Sequence, residues 1–228
     1  RGLGDVYKRQ GEHRDALTAL KGIIASPHFA QYPDRLRVFN DAAEAALALG
    51  QADAAKTHIS GALALDESDP IALLQQGWIF ARNGDAANAE ESLRRIDASG
   101  LRGSAGAELH LGVALVYLSL NNQRSAVDEL ENAQSLDPTL VPASLAAALA
   151  DIRVNNLDGA VEKVTRAPLQ DAVYRKNLSP LTSNWRPPQD VARLKAEMGT
   201  ALSNDVRYSV RLKEILAILD WYGEASTA

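Results

Sequence analysis

Small residues recur at a nearly constant spacing along this chain, and no other feature restricts its fold as much. Alanines return every 34 to 39 residues, at Ala16, Ala55, Ala89, Ala126 and Ala160. A second series lies seven residues further on, at Ile23, Ala62, Ile96, Ala133 and Ala167. A third lies twelve residues before the first, at Ala43, Gly77, Ala114 and Ala148. Glycine or asparagine forms a fourth, at Gly11, Gly50, Gly84, Asn121 and Asn155. Self-similarity with a period of roughly 20–50 residues predicts stacked structural repeats.

Composition favours helices and argues against nucleic acid as a partner. Hydrophobic residues make up 46% of the chain but aromatic residues only 5%. Alanine has the highest helix propensity and little strand preference, so this alanine-rich core suits closely packed helices. The net charge of -5 and the absence of a dense basic cluster argue against nucleic acid as a partner.

The chain contains no cysteine, which excludes disulfides, thiolate metal sites and cysteine nucleophiles. No apolar run approaches the ~20 residues that span a bilayer, so no membrane insertion is expected of this fragment. Residues 1–10 resemble a translated adaptor scar of the kind found in environmental sequence, and we interpret them as a non-native leader. The natural N-terminus would then lie upstream, and localisation stays open between cytoplasm and periplasm.

The four series together resemble the tetratricopeptide repeat, a helix–turn–helix unit, over residues 11–168, and a bacterial origin is expected. In that family small residues stand where helices cross, because packed helix axes lie about 8–10 Å apart. Glycine or asparagine ends the first helix in a left-handed conformation. The resemblance implies an all-α fold, a right-handed α-solenoid of one half unit and four units, with a C-terminal helical cap over 169–228.

The resemblance also divides the array into elements. A second-helix remnant and four units are expected at Gly11–Ser26, Leu36–Leu65, Pro70–Ile96, Ser104–Leu136 and Leu140–Ala167. Insertions fall in Pro27–Asp34 and Asp97–Ser104, which are predicted to be loops between units. Helix-packing aromatics, Phe39, Phe80 and Tyr117, give way to Ser144 and Asp151 in the last unit.

After Pro168 the repeat register is lost. We predict a short helix at Leu169–Asn177, a loop at Ser179–Pro188, and helices at Gln189–Leu202 and Asp205–Tyr222. The last of these carries an apolar stripe of Val206, Val210, Ile215, Leu219 and Tyr222. The segment is interpreted as a cap, and the alternatives are that it folds back into the array's own groove or pairs with another chain.

No group of residues predicts catalysis, a cofactor or a metal. The four histidines, His13, His28, His58 and His110, are scattered and lack metal-ligand spacing, so they are expected to be surface or partly packed residues. The acidic stretch Asp66, Glu67 and Asp69 lacks calcium-loop spacing and is expected to be solvated.

Family resemblance assigns the partner-binding groove to the first helix of each unit. The residues implied are Arg37, Asn40, Asp41, Glu44, Leu74, Gln75, Trp78, Arg82, Glu108, Leu111, Leu115, Leu118, Leu145, Leu149, Ile152 and Arg153. No lysine completes a carboxylate clamp there. The groove is expected to run from a polar to an apolar end, with Trp78 as an anchor. The alternative is that the leucines pack against neighbouring first helices or under the C-terminal helix.

The leading functional hypothesis is therefore a non-catalytic scaffold that binds a protein or peptide in its groove. Two alternatives stand beside it. The chain could be the accessory region of a larger enzyme such as a transferase, or a self-assembly module forming homo-oligomers through its C-terminal helix.

Overall fold

The computed structural model describes residues 13–98, 101–166, 187–203, 207–208, 212 and 215–219. Within those ranges the chain forms helices joined by turns and loops, and no strand. This confirms the predicted all-α helical-repeat fold. The described residues divide into two compact units, unit 1 up to residue 98 and unit 2 from residue 101.

Unit 1 consists of helix pairs in which each helix packs on the next along the chain. Its elements are α1 (His13–Ile24), a 3-10 turn (Phe29–Gln31), α2 (Arg35–Ala48), α3 (Ala52–Leu65), α4 (Pro70–Arg82) and α5 (Ala86–Arg94). The 3-10 turn lies in the first predicted insertion, which confirms that the extra residues are placed between units. The first helices of the repeats in unit 1 are α2 and α4. Each packs on the second helix that follows it and on the helix that precedes it.

Unit 2 repeats the arrangement and adds one helix. Its elements are α6 (Gly103–Ser119), α7 (Gln123–Leu136), α8 (Val141–Arg153), α9 (Leu157–Arg166) and α10 (Pro187–Ser203). Here α8 packs on both α6 and α7, as α4 packs on α2 and α3 in unit 1.

The turns between first and second helices adopt the predicted left-handed backbone. The φ angles are 72° at Gly50, 76° at Gly84, 57° at Asn121 and 60° at Asn155. A left-handed residue lets the chain reverse after one helix and begin the next, and glycine and asparagine reach it with the least strain. The fourth sequence series therefore marks the turns, apart from Gly11, which lies outside the described residues.

The small residues of the series are buried at the helix crossings. The five members of the first series are all 0% exposed, and so are Ala43, Ala62, Ala114, Ala133 and Ala148. Because a larger side chain would separate helices that pack this closely, the spacing follows from the geometry of stacking. Ile23 and Ile96, the isoleucines of the second series, are half-buried.

In each of the four two-helix repeats, the residue three positions after the alanine of the first series is polar and faces the first helix of that repeat. The His58 and Phe39 rings lie 6.5 Å apart, and the Ser92 hydroxyl donates to Gln76 Oε1 at 3.0 Å. The corresponding pairs of unit 2 are His110 Nδ1 to Glu129 Oε2 at 2.6 Å and Lys163 Nζ to Asp151 Oδ2 at 2.5 Å. Asp151, which takes the place of an aromatic residue, is therefore paired within its unit.

The C-terminal predictions need two corrections. Helix α10 begins at Pro187 and not at Gln189, because the fixed φ of proline suits the first turn of a helix. Arg207 and Tyr208 lie in a turn, so the predicted helix does not run unbroken from Asp205. Ile215 and Leu219 are helical and fully buried. Residues 1–10, the Leu169–Asn177 helix, and Val206, Val210 and Tyr222 of the stripe lie outside the described residues.

Candidate binding surface

The helix-A face, meaning the surface of α2 and α4 in unit 1 and of α6 and α8 in unit 2, carries all the implied groove residues. In unit 1 only Arg37 and Arg82 are exposed, and Trp78 is half-buried. The remaining five, Asn40, Asp41, Glu44, Leu74 and Gln75, are buried. Most of the polar end of the predicted groove is thus part of the packed unit.

Hydrogen bonds join the buried polar residues of α2 and α4 into one network. Asn40 Nδ2 donates to Asp69 Oδ2 at 2.8 Å, and the same oxygen accepts the Ala72 N–H at 2.8 Å. Gln75 Nε2 donates to the Asn40 carbonyl oxygen at 3.1 Å. Asp69 therefore caps the N-terminus of α4 and at the same time ties that helix to α2.

These bonds determine how the two amide groups are oriented. The amide nitrogens of Asn40 and Gln75 both face oxygens, so a flipped amide would set two acceptors against each other. Asn40 Oδ1 and Gln75 Oε1 are consequently directed elsewhere, and neither has a hydrogen-bond partner among the described residues. Trp78 Nε1, one turn beyond Gln75 on α4, is also buried without a partner there. Asn40 Oδ1, Gln75 Oε1 and Trp78 Nε1 are thus left without hydrogen-bond partners among the described residues.

Charge on the unit 1 face comes mainly from α2. Arg37 Nε lies 3.6 Å from Asp41 Oδ2, one helical turn away. Asp41 and Glu44 are each only 6% exposed. The Arg37 side chain is 57% exposed, so it is the part of this group that solvent reaches, and the polar end of the groove remains a prediction.

The apolar end falls in unit 2, where its residues are largely covered. Leu111 and Leu145 are 0% exposed, and Leu118 and Leu149 are 6% exposed. They belong to one core cluster that also contains Leu194, Met198 and Leu202 of α10. Leu115 and Ile152 pack against this cluster, and Glu108 is buried. The leucines contribute to the core of the unit, and their assignment to a partner groove remains a prediction.

Arg153 joins three helices of unit 2. Its Nη1 donates to the Leu118 carbonyl oxygen at 3.2 Å, at the end of α6. Its Nε lies 3.6 Å from Glu197 Oε2 of α10. Helix α10 is thus held against the helix-A face by an ion pair as well as by apolar contacts.

Sequence reasoning missed Asp69 and the contact side of α10. The acidic loop was expected to be solvated throughout, but only Asp66 and Glu67 are exposed, whereas Asp69 is 6% exposed. The Ser68 hydroxyl and N–H bond to Asp66 and lower the pKa of that carboxyl. The Asp69-Pro70 pair is a recognisable helix start, so the capping role had a local signal even though the burial did not.

One histidine also departs from expectation. His58 is 7% exposed, and neither ring nitrogen has a hydrogen-bond partner among the described residues. Burial, and then the nearby positive charge of Lys21, lower the pKa of His58. A neutral imidazole in such an environment packs as an aromatic ring beside Phe39.

The described residues contain no group of three or more His, Asp or Glu side chains arranged to hold a metal ion. None of the helices described is both long enough and apolar enough to cross a membrane.

Comparisons with known proteins agree with the repeat. The family model described as "Tetratricopeptide repeat" matches residues 71–98, which cover nearly all of α4 and α5. A crystal structure of a tetratricopeptide repeat protein from Parabacteroides merdae is similar to this chain, with a TM-score of 0.55 and 16% sequence identity. That match covers 96% of this chain and 82% of the other, and at this identity it bears on the fold alone. The search of curated proteins found no match.

Proposed function

We propose that this chain, a member of the tetratricopeptide-repeat family, is a non-catalytic scaffold that holds an extended segment of another protein on the helix-A face of unit 1. Repeats of this family generally mediate protein–protein interaction. A fold does not determine a function, so the proposal depends on the polar atoms of α2 and α4.

The observation that carries the proposal is the pair of amide oxygens without partners, Asn40 Oδ1 and Gln75 Oε1. A buried acceptor left unpaired costs about 1–3 kcal/mol, and a bound N–H group would remove that cost. An extended peptide has free N–H groups at every second residue on one side, whereas a helical peptide uses nearly all of its N–H groups internally. Acceptors on two successive first helices therefore favour an extended ligand.

Trp78 complements the two oxygens. Its indole N–H lacks an acceptor among the described residues, and a peptide carbonyl oxygen would supply one. Its half-buried ring supplies the apolar area common at interface hot spots. The two amide oxygens and the indole N–H are shielded from solvent. A partner therefore reaches them only when the surrounding side chains, including that of Trp78, move aside.

A displayed library of random peptides, selected against the full chain, tests this. Peptides that bind are expected to lose about tenfold or more in affinity when Trp78→Ala or Gln75→Met is introduced, with helicity unchanged. Leu65→Ala is the matched control, since Leu65 is 40% exposed on α3, away from the helix-A face. N-methylation of single peptide nitrogens should weaken binding at the positions that donate, by roughly 5–30-fold each.

Two results would refute the proposal. One is that selection against this chain enriches no peptide that selection against a protein of unrelated sequence does not enrich equally. The other is that Trp78→Ala weakens binding no more than Leu65→Ala does, or weakens it only in proportion to a loss of helicity.

A further inference from the structure

Helix α10 does not stack on unit 2 as a further repeat would. A first helix that continues the array packs on both helices of the unit before it, as α4 does on α2 and α3. Helix α10 packs chiefly on α8, with far less contact with α9. It therefore lies to the side of the stacking direction.

Arg153 identifies which side this is. The same guanidinium contacts the Leu118 carbonyl oxygen at the end of α6 and Glu197 of α10. Helix α10 packs on α8, and Arg153 brings its Glu197 near the C-terminal end of α6, so α10 lies on the side of unit 2 that carries the helix-A face. Family resemblance implies the groove there, and four of its implied leucines are in the same core cluster as α10.

The buried side of α10 has a simple pattern. Leu194, Met198 and Leu202 follow one another at four-residue intervals and are at most 1% exposed. Ala192, Arg193, Ala196, Thr200 and Ser203 are exposed. The helix thus buries one narrow apolar strip in the core cluster of unit 2 and packs on α8, with Glu197 beside the strip for the ion pair. An amphipathic helix in a binding groove has the same arrangement.

We propose that the helix-A face of unit 2 is a binding site for an amphipathic helix, and that α10 is its built-in, displaceable occupant. The ligand class is a helix with apolar residues four apart and an acidic residue that pairs with Arg153. Since α10 is part of the same chain, its effective concentration at the site is on the order of millimolar. A partner helix binds in proportion to the fraction of molecules from which α10 has withdrawn. This site is separate from the extended-peptide site of unit 1, so either proposal stands or falls alone.

The test uses the full chain and, as the probe, a fluorescent synthetic peptide with the sequence of residues 187–203. Met198→Glu in the chain places a charge in the buried strip, so α10 should leave the site and the peptide should bind at least about tenfold more tightly than to the original chain. Ala196→Glu, on the exposed side of α10, is the matched control and should leave peptide binding at the original level.

A milder variant covers the case in which Met198→Glu fails to fold. Glu197→Arg in the chain gathers three positive charges, because Glu197 pairs with Arg193 of α10 as well as with Arg153. It weakens the internal contact without altering the apolar strip. The unaltered peptide should then bind this chain more tightly than it binds the original, and a peptide carrying Glu197→Arg should bind it less tightly than the unaltered peptide.

The proposal is overturned if the Glu197→Arg chain is folded, by circular dichroism, and binds the peptide no better than the original chain. It is equally overturned if a folded Met198→Glu chain gains no affinity, because α10 would then be a structural part of the unit and not a ligand of it.

Discussion

The ring of Phe39 occupies the space into which a side chain at Gly61 would extend. A Cβ at position 61 would lie 2.6 Å from Phe39 Cε1 and 2.7 Å from Cζ. The edge of Phe29 meets the Phe39 ring at 88°, with centroids 5.3 Å apart. The ring is therefore held from two sides where α2 crosses α3, and the crossing requires glycine at position 61.

Gly61→Ala is expected to destabilise the protein even though alanine is the better helix former. The propensity gain is about 1 kcal/mol, whereas forcing a methyl group into a packed crossing costs about 1–3 kcal/mol. Urea unfolding followed by circular dichroism measures the balance. Gly22→Ala is the control, because Gly22 lies within α1 with nothing within 4 Å of its Cβ position. That change should stabilise by about 0.4–1 kcal/mol, and equal shifts for the two variants would show that the Phe39 ring yields freely.

His58 is expected to make the stability of the protein fall below neutral pH. Its pKa in the folded protein is lowered by burial and by Lys21, so the folded state resists a proton that the unfolded chain accepts near pH 6.5. The free energy of unfolding should therefore be constant above that pH and decrease as the pH falls below it. Unfolding midpoints between pH 7.5 and pH 5.5, compared between the original chain and His58→Leu, isolate the effect. His28→Leu, at an exposed histidine, should retain the full decrease, and a slope unchanged in His58→Leu would assign it to other groups.

Asp69→Ala should cost more than the loss of a helix cap. Asp69 Oδ2 accepts bonds from the Ala72 N–H and from Asn40 Nδ2, so the change removes a cap worth about 1 kcal/mol and leaves a buried amide unpaired at about 1–3 kcal/mol. Asp85→Ala is the comparison, since Asp85 caps α5 by accepting from the Asn88 N–H at the exposed surface. Its loss should be clearly smaller in the same unfolding experiment, and losses of equal size would indicate that the Asn40 bond adds nothing.

The sequence predicted the turns between helices but not the burial of Asp69, because the turns depend on local residues and the burial depends on a distant one. The left-handed turns at Gly50, Gly84, Asn121 and Asn155 follow from a local rule, so the series located them correctly. The burial of Asp69 depends on Asn40, 29 residues earlier, and no local pattern reports such a pairing.

For helix α10 too, the sequence predicted the local structure but not the distant contact. Periodicity predicted a helix at Gln189–Leu202, and the structure has one at Pro187–Ser203. An apolar strip, however, shows only that something covers it, and not which helix does so. For that reason the leucines of α6 and α8 could be assigned equally well to a partner groove or to contact with the C-terminal helix.

The Asp151–Lys163 pair gives the last prediction, because it stands where other units have an aromatic residue. Lys163→Met should destabilise unit 2 by about 1–3 kcal/mol, since Asp151 is 6% exposed and would keep only the Asn156 amide as a side-chain partner. The double variant Asp151→Leu/Lys163→Met should recover much of that loss, because well-packed apolar residues often replace a buried ion pair without penalty. Arg166→Met breaks the exposed Arg166–Glu162 pair and should change stability little. Unfolding of the four chains forms the measurement, and a double variant no more stable than Lys163→Met would mean that Asp151 is required for the packing of α8 on α9 in its own right.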